Sequence, residues 1–181
     1  MLGWIAAAVV AVIVVWAMGA YNRLVALRNR IANAFAQIDV QLKRRFDLVP
    51  NLVEVAKKYL AHEQDTLQAV IAARGQAQAA ADLARRAPAS AQAIGGLAAA
   101  EGALGGALGR LMVVAEDYPE LKADVTMREL SEELTSTENR IGFARQAYND
   151  AVLDFNTESQ QLPTLIVARL AGFVPATELQ A

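Results

Sequence analysis

The side chains best equipped for chemistry are few and poorly placed for it. His62-Glu63 is the one histidine–carboxylate pair, and the chain has no cysteine. Adjacent residues on a helix point in different directions, so these two do not converge on one atom. A lone histidine is as readily a hydrogen-bonded surface group as a base. Without cysteine there is no thiolate nucleophile, thiolate metal site or disulfide. Glu129 and Glu133, four apart, could share a cation, yet no further ligand completes a site. The pairs Glu116-Asp117 and Glu132-Glu133 read as solvated helix surface. No phosphate-binding loop, dinucleotide fingerprint, zinc-protease pair or nucleophile elbow occurs. The expectation is a chain that is not an enzyme, with no catalytic residue, no metal ligand and no cofactor.

Charge is the more informative chemistry. The net charge is −2, but residues 21–58 sum to +5 and residues 116–160 to −7. A basic segment close to a membrane can meet anionic headgroups, each Lys or Arg contributing about 1 kcal/mol. It can equally pair with an acidic helix, in the same chain or a neighbouring one. On a straight helix Lys43-Arg44-Arg45 lies about 35 Å from Tyr21, far beyond a Debye length of about 8 Å. Protein pairing is therefore expected for Lys43, Arg44 and Arg45, and lipid contact for Arg23, Arg28 and Arg30. An acidic chain with no reading motif is not expected to bind nucleic acid.

These groups need elements to hold them. Everything before Arg23 is uncharged, and Leu2 to Ala20 is almost wholly apolar. Roughly 20 such residues cross the hydrocarbon core as a helix. Trp4 and Tyr21 suit its two interfaces, whereas Trp16 lies deeper than that pattern predicts. A cleaved signal peptide would carry a positive start and a shorter apolar run. A buried core helix would show a polar face. Lys and Arg follow the run and none precedes it, so the expected orientation is a short outer N-terminus with the body in the cytoplasm.

The rest of the sequence has helical period throughout. Over 21–46, Leu24, Ile31 and Ile38 repeat at seven, as do Phe35, Leu42 and Val49. Asn29, Asn33, Gln37 and Gln41 make a polar row, either solvated or fixing the register of a helix contact. Asp47 and Pro50 predict a kink or turn near Phe46-Asp47. A second helix then runs to Pro88. A third, over 90–117, is rich in glycine; Ala98, Gly102 and Gly106 lie on one face, as do Gly105 and Gly109, and small residues at that spacing let backbones approach. Thr126 with Glu129 fits a capping box for the fourth helix. There Met127, Leu134, Ile141, Tyr148 and Phe155 repeat at seven, predicting a coiled-coil-like seam, and Pro163 closes it. The expected fold is all-α: a transmembrane helix (1–21), then an elongated antiparallel bundle of three to four long helices (22–162), then an apolar tail (163–181). The tail, with Leu165, Ile166, Leu170 and Phe173, is too short to span. It has three possible resting places: a membrane, a neighbouring subunit or its own bundle.

Several strings resemble the LemA family. Tyr21-Asn22-Arg23-Leu24-Val25, Ala36-Gln37-Ile38-Asp39-Val40-Gln41-Leu42-Lys43-Arg44-Arg45 and Asp47-Leu48-Val49-Pro50-Asn51-Leu52-Val53 carry the early part. Tyr118-Pro119-Glu120-Leu121-Lys122-Ala123, Thr137-Glu138-Asn139-Arg140-Ile141 and Tyr148-Asn149-Asp150-Ala151-Val152 carry the later part. The resemblance implies a bacterial membrane protein with an N-terminal anchor, a helical-bundle body and no established catalysis. A relative associated with magnetosome membranes makes membrane organisation the implied role. Asn156 to Gln161 is less basic than the family pattern, and the last residues lack its aromatic ending.

Two functions follow as expectations. The first is a non-enzymatic, single-pass scaffold of the bacterial inner membrane. It would self-associate through its helices, with candidate contacts at Arg23, Arg28, Arg30, Lys43, Arg44, Arg45, Gly102 and Gly106, and meet further membrane or cytoplasmic proteins. The second is a membrane-shaping or lipid-sensing module in which Arg28, Arg30 and the tail touch the bilayer.

Overall fold

The computed structural model describes residues 2–180. Met1, where the expected outer N-terminus begins, and Ala181, which ends the tail, lie outside the described residues. Six helices follow in order: α1 (Leu2–Lys57), α2 (Gln64–Arg86), α3 (Ala91–Glu116), α4 (Pro119–Ala123), α5 (Val125–Gln160) and α6 (Thr164–Leu170). No strand occurs among the described residues.

α1 is one rod of 56 residues, about 84 Å long. Its first part stands clear of the rest of the protein: Trp4, Ile5, Val9 and Val12 through Val15 are exposed. Ala20 is the first buried side chain, and from Leu24 on the seven-residue rows turn inward. One helix therefore carries a bilayer-length apolar run with no packing partner among the described residues, and then a packed face. α3 is also long and apolar enough to cross a membrane by length and composition. It lies instead along α2, with Ile94, Leu97, Leu104 and Leu111 fully buried.

Of the kink or turn expected near Phe46-Asp47, the turn is not there. α1 continues through Pro50, and the chain turns at 58–63. Proline interrupts a helix because it leaves the carbonyl four residues back without its N–H. Here that carbonyl belongs to Phe46, and Arg74 of α2 donates its Nε–H to it at 2.9 Å. The turn beyond Lys57 is held by fully buried Leu60 and by the Tyr59 hydroxyl, which donates to Asp124 at 2.9 Å.

Cross-links give the directions. Rising numbers on α2 and α5 meet falling numbers on α1: Arg74 at Phe46 and Arg85 at Asp39, then Glu133 at Arg44 and Glu158 at Arg23. The long helices thus form an antiparallel bundle, with α5 on α1 and α3 on α2. The seven-residue row Met127, Leu134, Ile141, Tyr148 and Phe155 is buried throughout. The cap of α5 is Asp124, which accepts from the Met127 N–H at 3.0 Å; Thr126, expected as the cap, lies inside the helix. Asp124 takes the position because it binds Tyr59 as well.

Candidate functional site

The two oppositely charged segments meet within one chain, along the contact of α1 with α5. Arg23 pairs with Glu158 at 3.1 Å and Arg44 with Glu133. Arg45 is almost fully buried, and its guanidinium reaches Glu101 of α3 at 2.8 Å and Glu138 of α5 at 2.9 Å. This one cation ties three helices together. It sits in a cleft of about 160 Å³ lined also by Leu42, Gly102, Gly105 and Arg145. Burial pushes the Glu101 carboxyl above its usual range, the nearby Arg45 charge only partly offsetting it and Glu138 adding to it. Chemically this is a charge cluster built on one buried arginine whose fork suits two carboxylates; Glu138 is exposed, and Glu101 Oε1 is buried with no hydrogen-bond partner among the described residues.

A second cluster joins α1 to α2. Asp39 is buried; Arg85 meets both of its oxygens, at 2.7 and 2.9 Å, and Lys43 meets one at 2.9 Å. Burial alone would raise the Asp39 pKa, but these hydrogen bonds and charges reverse it and hold the carboxyl below its usual range. Lys43 thus pairs along its own helix, not with α5.

The tail returns to its own bundle. α6 rests on α1 and α5, and Phe173 packs between Tyr21 and Phe155, with ring centroids at 5.8 and 6.1 Å. Beyond it two asparagines of α5 clamp the extended chain. Asn156 exchanges two bonds of 2.8 Å with the Ala176 backbone, and Asn149 exchanges bonds of 2.9 and 3.2 Å with Leu179. The buried Tyr148 hydroxyl donates at 2.6 Å to the Pro88 carbonyl and lies 2.9 Å from that of Thr177. Burial pushes its pKa up, so it stays a neutral donor.

Other expected residues stay apart from these contacts. Arg28 and Arg30 are exposed, as are Asn29, Asn33 and Gln37; Gln41 is half-buried. Gly106 is exposed on the outer face of α3 and Gly102 at the rim of the Arg45 cleft, and an added Cβ at either would meet no atom within 4 Å. Neither therefore brings a helix of this chain closer. Leu165 is half-buried, while Ile166 and Leu170 face outward. His62 is exposed in the α1–α2 turn, and among the described residues no three metal-ligating side chains gather. The contacts of Asp39, Arg74, Arg85, Glu101, Asn149 and Asn156 join separate helices or the tail, so residue type and spacing alone do not announce them. The visible signal for the clamps was a pair of asparagines seven apart, each directly after an aromatic core residue in the row Tyr148, Phe155.

Residues 34–181, containing the whole packed body beyond its first turns, match the LemA family. The chain belongs to the LemA family. Among curated relatives of this LemA-family chain, Magnetosome protein MamQ 2 of Paramagnetospirillum magneticum is 37% identical over 84 residues, 46% of this chain and 31% of that protein. Magnetosome protein MamQ of Magnetospirillum gryphiswaldense is 32% identical over 77 residues, 42% of this chain and 28% of that protein. The matched stretch spans less than a third of those relatives. With the bare N-terminal helix, these likenesses make this LemA-family chain a membrane-associated helical protein.

Proposed function

We propose that this chain is a non-enzymatic scaffold, held in the bacterial inner membrane by one span, with its N-terminus outside and its body in the cytoplasm. The observation that carries the reading is the continuity of α1, which passes without a break from an unpacked apolar run into the bundle. A body fixed to its anchor in this way suits holding partners at a set height above a membrane. The charged groups of the interior are engaged with one another, which favours a structural use for them. Self-association has its best support on α3, whose outer face (Gly95, Ala99, Gly106, Gly109, with Gly102 at its edge) is smooth, exposed and able to receive a second helix closely. Imaging the full chain in lipid nanodiscs tests this. Particles with several bodies are expected, and particles holding a single body at every protein concentration would defeat self-association. Proteolysis of the body from outside intact cells would defeat the orientation. The second reading, a lipid-sensing module, draws on the exposed apolar residues of α6.

A further inference from the structure

We infer that the α6 region is a second bilayer contact, a foot that lies in the interface of the same membrane that α1 crosses. The inference deepens the lipid-facing reading above and rests on α1 being a membrane span.

The pattern of α6 comes first. Thr164 and Ala168 face the bundle and are buried. On the other side Leu162, Ile166 and Leu170 recur every four residues and stand 76%, 56% and 84% exposed, with Val174 following at 76%. Four large aliphatic side chains in one short segment make an apolar surface that nothing among the described residues covers, and such patches mark contact with a partner or a membrane.

Position says which partner. The ion pair of Arg23 with Glu158 sets the end of α5 level with the third residue past Ala20, about 5 Å along the rod. α6 follows that end, touches α1, and leads into Phe173, which packs against Tyr21 with the rings tilted by 55°. The patch therefore sits where the apolar run of α1 meets its first charges, continuous with the surface that lipid covers. Charge fits too. Arg169, next to Leu170, is exposed, and Arg28 and Arg86 line a groove shared with Val174 at the same end. Apolar residues buried at the acyl boundary with arginines among the headgroups are the pattern of an interfacial segment. A second protein copy would require no such placement at the foot of the span.

The absence of native cysteine makes the test clean. Single variants Leu170→Cys, Val12→Cys and Val113→Cys of the full chain are labelled with an environment-sensitive fluorophore. They are then reconstituted in phosphatidylethanolamine–phosphatidylglycerol vesicles carrying nitroxide lipids at shallow or deep positions. The Leu170 label is expected to lose most of its emission to shallow nitroxides, the Val12 label to deep ones, and the Val113 label to neither. A Leu170 label as bright as the Val113 label overturns the inference while leaving the span intact. A Val12 label that no nitroxide quenches overturns the span itself. Energy transfer between Leu170 labels on mixed copies, without lipid quenching, assigns the patch to a second copy and also overturns it. Ile166→Ser with Leu170→Ser is expected to leave the bundle's melting unchanged while reducing protection of α6 in vesicles; a lowered melting temperature would make the patch structural and refute the lipid role.

Discussion

Arg74 and Arg45 each do what a helix or an apolar core cannot. Pro50 withdraws a donor from the Phe46 carbonyl, and Arg74 supplies one from another helix. Arg74→Ala should lower stability by about 1–3 kcal/mol, the cost of an unpaired buried acceptor. Adding Pro50→Ala should recover much of that loss by returning the backbone N–H, a coupling that urea midpoints of the four proteins of the cycle would measure. Arg45→Met strands Glu101 in the interior and should cost about 3–5 kcal/mol. Glu101→Gln should cost much less, because Glu138 still holds Arg45 and the burial penalty on a charge is gone. The two carboxylates differ in sign with pH. Asp39 has a lowered pKa, so its stabilisation is full above the ordinary aspartate range and disappears as pH falls through the lowered value. Glu101 has a raised pKa, so its folded state is penalised above that raised value and relieved as pH falls through it. In acid unfolding monitored by circular dichroism, Asp39→Asn should flatten the low-pH limb, and the cost of Glu101→Gln should be smallest at neutral pH and grow as pH falls.

At the scale of elements, apolar period was enough to read four long helices and their buried rows. Leu24, Ile31 and Ile38 on α1 and the row from Met127 to Phe155 on α5 are buried as their seven-residue spacing predicts. Pro50 misled because local propensity marks it as a boundary, while the remedy for its missing donor lies on another element, and no window of sequence contains both. The cap at Asp124 was displaced for the same reason, since its second bond comes from Tyr59. The tail's resting place was open because an apolar decapeptide looks alike on any apolar surface; Asn149 and Asn156 decide it through backbone bonds that composition does not reveal. Asn156→Ala should therefore loosen the terminal segment first, with faster hydrogen exchange at the Ala176 amide and little change in α5. On α3, Gly102→Ala and Gly106→Ala should each raise the stability of the isolated body by about 0.5–1 kcal/mol, as alanine replaces glycine in an exposed helix interior. A thermal melt that instead falls would mean the added methyls meet something, as a second copy on that face would supply.

The whole molecule divides its apolar surface between two surroundings. Nothing before Ala20 is buried by the body among the described residues, so removing residues 1–20 should leave the melting of the remaining bundle nearly unchanged in circular dichroism. Several of the α1–α5 ion pairs are exposed, and such pairs contribute little individually and are screened by salt. Added salt should lower the melting temperature only slightly, because buried rows and the Arg45 cluster carry the cohesion. The architecture was legible because burial leaves long periodic traces and an apolar run of bilayer length stands out unbroken. The cleft around Arg45 was not, because it is assembled from α1, α3 and α5, and each of its charges looks like ordinary helix surface until the three are brought together.

The unbroken passage of α1 from its apolar run into the bundle has a mechanical consequence. The part of that helix beyond Tyr21 is a stiff lever arm of about 55 Å. A span leaning by about 20°, an ordinary angle for a single helix, would swing the distal turn with His62 sideways by roughly 19 Å. A change in that lean, such as a mismatch with bilayer thickness would drive, would thus be magnified into displacement at the far tip.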